Sequence, residues 1–188
     1  MHGTGDVMKC KEALRAVLWP EGCVRSQHRP SCSLDGIPHP PIAGNTFYGM
    51  SVYYFALDCV RFLGVEDLTH WPIANVRELI MASESFCRMD WHDVNGTHDH
   101  SLNAKKGNHK KTSDEGLPFR CVESLYLSLL LEEGFGFDLD QRSLTLALKV
   151  EGVEVEWTLG YLLTKAVHHG TKPSTDVNDS NSNSNDNE

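Results

Sequence analysis

The sequence predicts a mixed chain of helices interleaved with short strands, α/β or α+β. Three observations carry this. Apolar residues recur at helical spacing in several capped segments, brief β-rich runs sit between Gly and Ser, and apolar residues make up 40% of the 188 positions, enough for a core. The local pattern does not separate α/β from α+β.

The elements follow in order. Asp6 is placed to cap a helix running to about Leu18, with Val7, Cys10, Leu14 and Val17 on one side and Trp19-Pro20 as the stop. A loop rich in Pro, Ser and His reaches Gly44. Phe47 to Met50 reads as a short strand, and Ser51 caps a helix through Leu63 that ends at Gly64. Pro72 opens the next helix, which carries Val76, Leu79, Ile80 and Phe86 on one side.

From His92 to Gly116 the composition turns to His, Asn, Lys, Asp and Ser, a long surface loop. A helix from about Val122 to Glu133 ends at Gly134 as its C′ glycine. Ser143–Val150 and Val153–Trp157 read as two strands joined at Gly152, and a last helix spans about Thr158 to His168. Beyond Gly170 the Asn/Ser/Asp composition cannot bury apolar surface, so a disordered tail over 170–188 is expected. No internal repeat occurs.

Charge and composition narrow the function classes. The formal charge of −9 argues against a general nucleic-acid binder, which needs clustered Lys and Arg. Met1 to Trp19 starts polar and holds no long apolar stretch, so no signal peptide is expected. The longest apolar run, Leu125 to Leu131, falls far short of the roughly 20 residues of a membrane helix. Of the six cysteines, Cys23 and Cys32 lie close together, as do the better-separated Cys87 and Cys121; spacing alone permits many pairings. No Cys/His zinc pattern occurs. Two glycosylation acceptors, at Asn95 and Asn178, fit a secretory compartment.

Several polar clusters invite a site reading and have a plainer one. His92, His98, Asp99, His100 and His109 would suit Zn or Cu, but a loop this rich in Gly, Asn and Lys lacks a rigid supporting shell, and surface histidines are expected. Lys105-Lys106 and Lys110-Lys111 read as a solvated loop rather than an anion patch. Asp138 and Asp140 read as turn and cap residues. Trp157 is expected in the core, and Gly160 permits close helix packing.

Segments in a fixed order carry a resemblance. Gly3-Thr4-Gly5-Asp6 with Cys10, Cys32-Ser33-Leu34-Asp35-Gly36-Ile37 with Pro40-Pro41, Phe47-Tyr48-Gly49-Met50-Ser51-Val52-Tyr53-Tyr54, and Trp157-Thr158-Leu159-Gly160-Tyr161-Leu162-Leu163 occur in turn. Cys87 with Trp91, Cys121, and Gly134-Phe135-Gly136-Phe137 fall between the last two. Together, from about Gly3 to Leu163, they resemble the C-terminal portion of the apyrase and nucleoside diphosphatase family, which comprises ectonucleoside triphosphate diphosphohydrolases and Golgi guanosine diphosphatases.

The resemblance implies an α/β chain forming part of an actin-like ATPase (RNase H-like) fold with disulfides. Residues 1–156 would belong mainly to the second, base-side lobe, with the polar insertion at 92–116. Residues 157–169 would form the final helix, which in the family packs on the first lobe. It implies bridges Cys23–Cys32 and Cys87–Cys121, an orphan thiol at Cys10 and a buried, unbridged Cys59. It implies a secretory-pathway, Golgi-lumen or extracellular location.

The same resemblance implies hydrolysis of nucleoside di- and triphosphates with release of inorganic phosphate, assisted by Ca or Mg. That chemistry rests on Gly-rich phosphate turns and a Glu that activates water. The D-x-G-[GS]-[AS]-[ST]-x-[QE], T-[AS]-G and G-A-T-A-G-x-R segments do not occur in this sequence. The chain alone is therefore expected to be inactive, with no catalytic residue and no metal ligand of its own; the alternative is a nucleotide- or partner-binding module without catalysis.

What the resemblance leaves here is a nucleobase pocket. Its small apolar residue falls at Val52 and one ring at Phe55; ordinary core packing is the plainer reading of both. A second aromatic falls at Arg120, which is expected to be a solvated surface charge, although a guanidinium plane can also stack. A family Arg falls at Gly116, so that contact is missing.

Overall fold

The computed structural model describes residues 5–22, 32, 42, 44–63, 68–91, 94, 109–113, 115–154, 158, 161–162 and 164–165. The elements are α1 (Val7–Leu18), β1 (Phe47–Gly49), α2 (Val52–Phe62), α3 (Val76–Arg88), a 3-10 turn (Leu117–Phe119) leading into α4 (Arg120–Leu129), a π turn (Leu130–Gly134), then β2 (Leu144–Leu146), β3 (Lys149–Val150) and β4 (Val153–Glu154). The chain divides into two compact units, residues 1–148 and 149–188.

The first unit is an α/β arrangement. β1 and β2 run parallel, pairing Phe47 with Leu144, Tyr48 with Thr145 and Gly49 with Leu146. A parallel pair needs a long crossover, and α2, α3 and α4 supply it. Ala147 N–H donates to Gly49 O at 3.1 Å and extends the ladder past the last paired residue.

Helix α4 is the centre of the packing: α1, α2 and α3 all lie against it. Leu57, Val60, Leu79 and Leu125 are buried to 1% exposure or less and form the shared core with Leu131, Leu144 and Leu146. Where α3 meets α4 the contact is made by small polar residues. Ser128 Oγ donates to Ser124 O at 2.8 Å and reaches Ser83 Oγ at 3.3 Å, while Ser83 Oγ donates to Leu79 O at 2.7 Å. Each hydroxyl is satisfied within its helix, so the small side chains bring the two backbones together without an unpaired polar group.

Helix α1 is fixed by charge as well as packing. Lys11 Nζ pairs with Glu84 of α3 at 3.0 Å, and Arg15 grips Glu133 through Nε and Nη2 at 2.9 and 2.7 Å. The Glu133 carboxylate holds the Arg15 guanidinium above its ordinary pKa, against the opposing effect of burial. Asp6 caps the helix as expected, its Oδ1 accepting from Lys9 N–H at 3.1 Å.

The bridge between Cys87 and Cys121 joins the end of α3 to the start of α4, with Cα atoms 5.1 Å apart. Cys59 is a free, buried residue of α2, as read from the sequence, and Cys10 is free and half-buried. Cys32 is disulfide-bonded. Its expected partner Cys23 lies outside the described residues, as do Asn95, Asn178, Trp157, Gly160 and the tail.

Some element boundaries differ from expectation. Helix α3 begins after Asn75 rather than at Pro72: Asn75 caps it, its Oδ1 accepting from Glu78 N–H at 2.9 Å, and Pro72 lies in the turn before it, after a cis peptide bond. The left-handed glycine after α4 is Gly136 (φ 71°), because the π turn carries the chain through Gly134. The run 143–150 is two strands broken at Ala147–Leu148. In the second unit β3 and β4 pair antiparallel across Glu151 and Gly152, with φ 52° and 82°. Two consecutive left-handed residues make the twist-matched hairpin turn that Gly152 favours.

Candidate functional site

The candidate site forms where β1 ends and α2 begins. Ligands of parallel sheets collect outside the carboxyl ends of the strands, where backbone groups and helix starts face outward. The chain turns sharply here. Gly49 has no room for a side chain, since a Cβ would lie 2.8 Å from Leu146 Cδ2 and 3.3 Å from Tyr53 Cβ. Ser51 sits at φ 55° and ψ −121°, a conformation that L residues rarely adopt, and its hydroxyl makes no cap bond to α2. The cap anticipated there is thus one of position only.

This turn sets Val52 and Phe55 on the first turn of α2. Val52 is 39% exposed, and Phe55 is half-buried. The Phe55 ring meets Tyr54 edge-on at 6.2 Å between centroids. On its face stands the Lys111 ammonium, 5.7 Å from the centroid. Neighbouring Tyr53 is half-buried, and desolvation, with Tyr126 nearby, pushes its phenol up to about 12.

Lys111 is delivered by a docked turn, residues 109–112. His109 Nε2 lies 3.1 Å from Asp58 Oδ2, its Nδ1 lies 3.0 Å from Thr112 Oγ1, and its ring packs on Phe62 at 5.3 Å. The carboxylate only accepts, so Nε2 carries the proton toward it. Thr112, buried, receives Arg120 Nε at 3.0 Å and bonds the Cys59 thiol, which burial nevertheless pushes above its ordinary pKa. Arg120 Nη2 donates to Lys111 O at 3.0 Å, and Nη1 pairs with Glu123.

These contacts correct three expectations. Arg120 is not a solvated surface charge: its side chain is 11% exposed and its guanidinium is committed to Thr112, Glu123 and the Lys111 carbonyl. His109 is not an adventitious surface histidine but an anchor, 9% exposed at the side chain. Lys111 is not merely part of a solvated loop, since it lies over Phe55. His92, His98, Asp99, His100, Lys105 and Lys106 lie outside the described residues. Gly116 occupies the turn before the 3-10 segment, its N–H donating to Ser113 Oγ at 3.2 Å.

The carboxylates Asp138 and Asp140 serve structure, as expected. Asp138 Oδ1 accepts from Asp140 and Gln141 N–H at 2.8 and 3.0 Å, and Asp140 pairs with Arg77 at 2.7 Å. Among the described residues no group of three His, Cys, Asp or Glu side chains converges to hold a metal ion. Among them, too, no helix is long and apolar enough to cross a membrane.

One feature escaped sequence reasoning. Phe119 is 60% exposed and continues, with Val122 and Tyr126, as an apolar stripe on the outer side of α4. The i, i+3, i+7 spacing of these residues was the available signal.

Comparison with known proteins points to one family. The GDA1/CD39 (nucleoside phosphatase) family model matches residues 1–177. Human ectonucleoside triphosphate diphosphohydrolase 4 is 27% identical over 165 residues, covering 87% of this chain and 24% of the relative. Ectonucleoside triphosphate diphosphohydrolase 7 of Pongo abelii is 31% identical over 168 residues, covering 88% and 25%. Nucleoside-diphosphatase mig-23 of Caenorhabditis briggsae is 24% identical over 166 residues, covering 86% and 28%. The chain thus spans about a quarter of the length of these relatives, in their C-terminal part.

Proposed function

Because this chain belongs to the GDA1/CD39 (nucleoside phosphatase) family, we propose that it is the base-side portion of a nucleoside di- or triphosphate phosphohydrolase. It would lie within the second lobe of an actin-like fold and hold the nucleobase at Phe55 and Val52. The observation that carries the reading is the placement of Phe55: a half-buried ring on the helix that begins at the carboxyl end of a parallel strand, beside the exposed Val52. An aromatic face there can stack on any base.

Phosphoryl transfer depends on positioning the phosphates and neutralising developing charge. The sequence contains neither of the phosphate-gripping turns, and no water-activating Glu is assigned within it. The Ca or Mg expected for the full-length family would sit with the phosphates. Arg120 contributes indirectly, by holding the turn that carries Lys111. The Cys87–Cys121 bridge and the ecto-enzyme names of the relatives support a secretory-pathway, Golgi-lumen or extracellular setting.

Two measurements test the reading. The purified chain is expected to release no phosphate from nucleoside di- or triphosphates with Ca or Mg; release above background would refute the assignment of catalysis to other segments. Nucleotide is expected to raise the chain's thermal midpoint, and Phe55→Ala to abolish the rise. A flat titration with the wild-type chain would refute the base-binding role.

A further inference from the structure

Phe55 carries a group over one face of its ring, which a ligand stacked on that face meets. The Lys111 ammonium stands 5.7 Å from the ring centroid. A planar ring in van der Waals contact with that face lies about 3.5 Å above it, nearer to Phe55 than the ammonium, so a ligand ring centred on that face competes with Lys111 for the same space.

The lysine is not brought there by a free loop. The turn that presents it is closed by Thr112 N–H donating to His109 O at 3.2 Å. It is pinned on one side by His109 to Asp58, and on the other by Arg120, which holds both the Lys111 carbonyl and the Thr112 hydroxyl. Every contact but one is made by the flanking residues or by the Lys111 backbone. Among the described residues, the interaction of the lysine side chain is with Phe55.

We propose that residues 109–112 form a self-docked cap, in which Lys111 closes the Phe55 face of the unliganded chain and a ring ligand binds by pushing the side chain aside. The cap rests on the reading of Phe55 as a ligand-stacking ring. The backbone of the turn stays in place while the ammonium swings into solvent, since Lys111 is exposed and its carbonyl bond to Arg120 does not involve the side chain. An exposed cation–π contact is weak, so the cap lowers affinity by only about two- to fivefold.

The test is equilibrium binding of adenosine to the full chain. This nucleoside carries the ring without phosphate charge, which would attract a lysine for reasons unrelated to the cap. Lys111→Ala is expected to bind adenosine about two- to fivefold more tightly than wild type. Lys111→Arg, whose guanidinium also covers an aromatic face, is expected to bind no more tightly than wild type. In nuclear magnetic resonance spectra the Lys111 ε-methylene protons are expected upfield, shifted by the Phe55 ring, and to lose that shift at adenosine saturation. Unchanged or weaker binding by Lys111→Ala, with Phe55→Ala still losing the ligand, overturns the cap alone. So does a ring shift that persists at saturation. Binding indifferent to Phe55→Ala, or no binding by any variant, overturns the cap together with the Phe55 reading beneath it.

Discussion

His109 Nε2 lies 3.1 Å from Asp58 Oδ2, and this contact ties the distal end of the polar segment to α2. The imidazole is sandwiched between that carboxylate, Thr112 Oγ1 and the Phe62 ring. His109→Ala removes both hydrogen bonds and the ring contact at once. The expected loss is about 2–4 kcal/mol, since a charge-assisted bond is worth about 1.5–3 and an aromatic pair about 0.5–1.5. Because the turn closes through Thr112 N–H to His109 O, amide exchange at Thr112 should speed up more than at core amides such as Leu79. Equal acceleration at both would show that His109 supports the whole core rather than the turn.

Gly49 faces Leu146 across the parallel pair. An alanine there would set its Cβ 2.8 Å from Leu146 Cδ2, and Leu146 is too buried to move freely. Gly49→Ala is expected to cost about 1–3 kcal/mol by overpacking. Adding Leu146→Val removes a methylene from the clash and should return part of that loss. A double variant that is worse than the sum of its parts would place the constraint in the backbone instead of in Leu146. Urea unfolding of the four proteins of the cycle measures the coupling.

The contrast between what was and was not legible follows from the range of each signal. Helix α1 was readable because its cap, its apolar face and its stop are all local, at Asp6, Val7 and Trp19-Pro20. The β1–β2 pair was not, because Phe47 and Leu144 are neighbours only through the crossover of α2, α3 and α4. Phe55 could be singled out only through the resemblance of its segment to the family, and its partner Lys111 not at all: a lysine in a polar stretch looks solvated until the turn around it is seen docked. Arg120 was misread for the same reason. Whether an arginine is free or committed depends on Thr112 and the Lys111 carbonyl, which helical periodicity does not report. The start of α3 was misplaced because Pro72 is a valid first-turn residue, and only the Asn75 side chain bond to Glu78 decides the boundary.

Acid should weaken the fold through specific carboxylates. Glu84 is raised by burial, but hydrogen bonds from Lys11 and Arg88 outweigh that and hold it below its ordinary 4.5. The Arg142 hydrogen bond does the same for Glu78. A carboxylate depressed in the folded state binds fewer protons there than in the unfolded chain. Its stabilisation is therefore complete above the unfolded value and is lost as pH falls through the folded one. The thermal midpoint is expected to hold steady above about pH 6 and to decline below about pH 4.5. Glu84→Gln should start from a lower midpoint and decline less steeply. A parallel decline would assign the acid sensitivity to other groups.

The Cys87–Cys121 bridge closes a loop with a sequence separation of 34. Chain-entropy reasoning gives about 4 kcal/mol for a closed loop of this size, because the unfolded chain loses the conformations in which its ends lie apart. The same bridge sets Cys121 beside Arg120, the residue that holds the Lys111 turn. Cys87→Ala with Cys121→Ala should lower the unfolding free energy by about 3–4 kcal/mol in urea and increase the m-value, as the unfolded chain expands. Exchange at the Thr112 amide separates local from global effects. If the bridge acts on the unfolded state, Leu79, which exchanges by global unfolding, should lose protection, while Thr112 keeps its own, as His109 and Asp58 still pin the turn in the folded chain. A loss at Thr112 would show that the bridge also positions Arg120, and that the turn depends on the oxidised state of the protein.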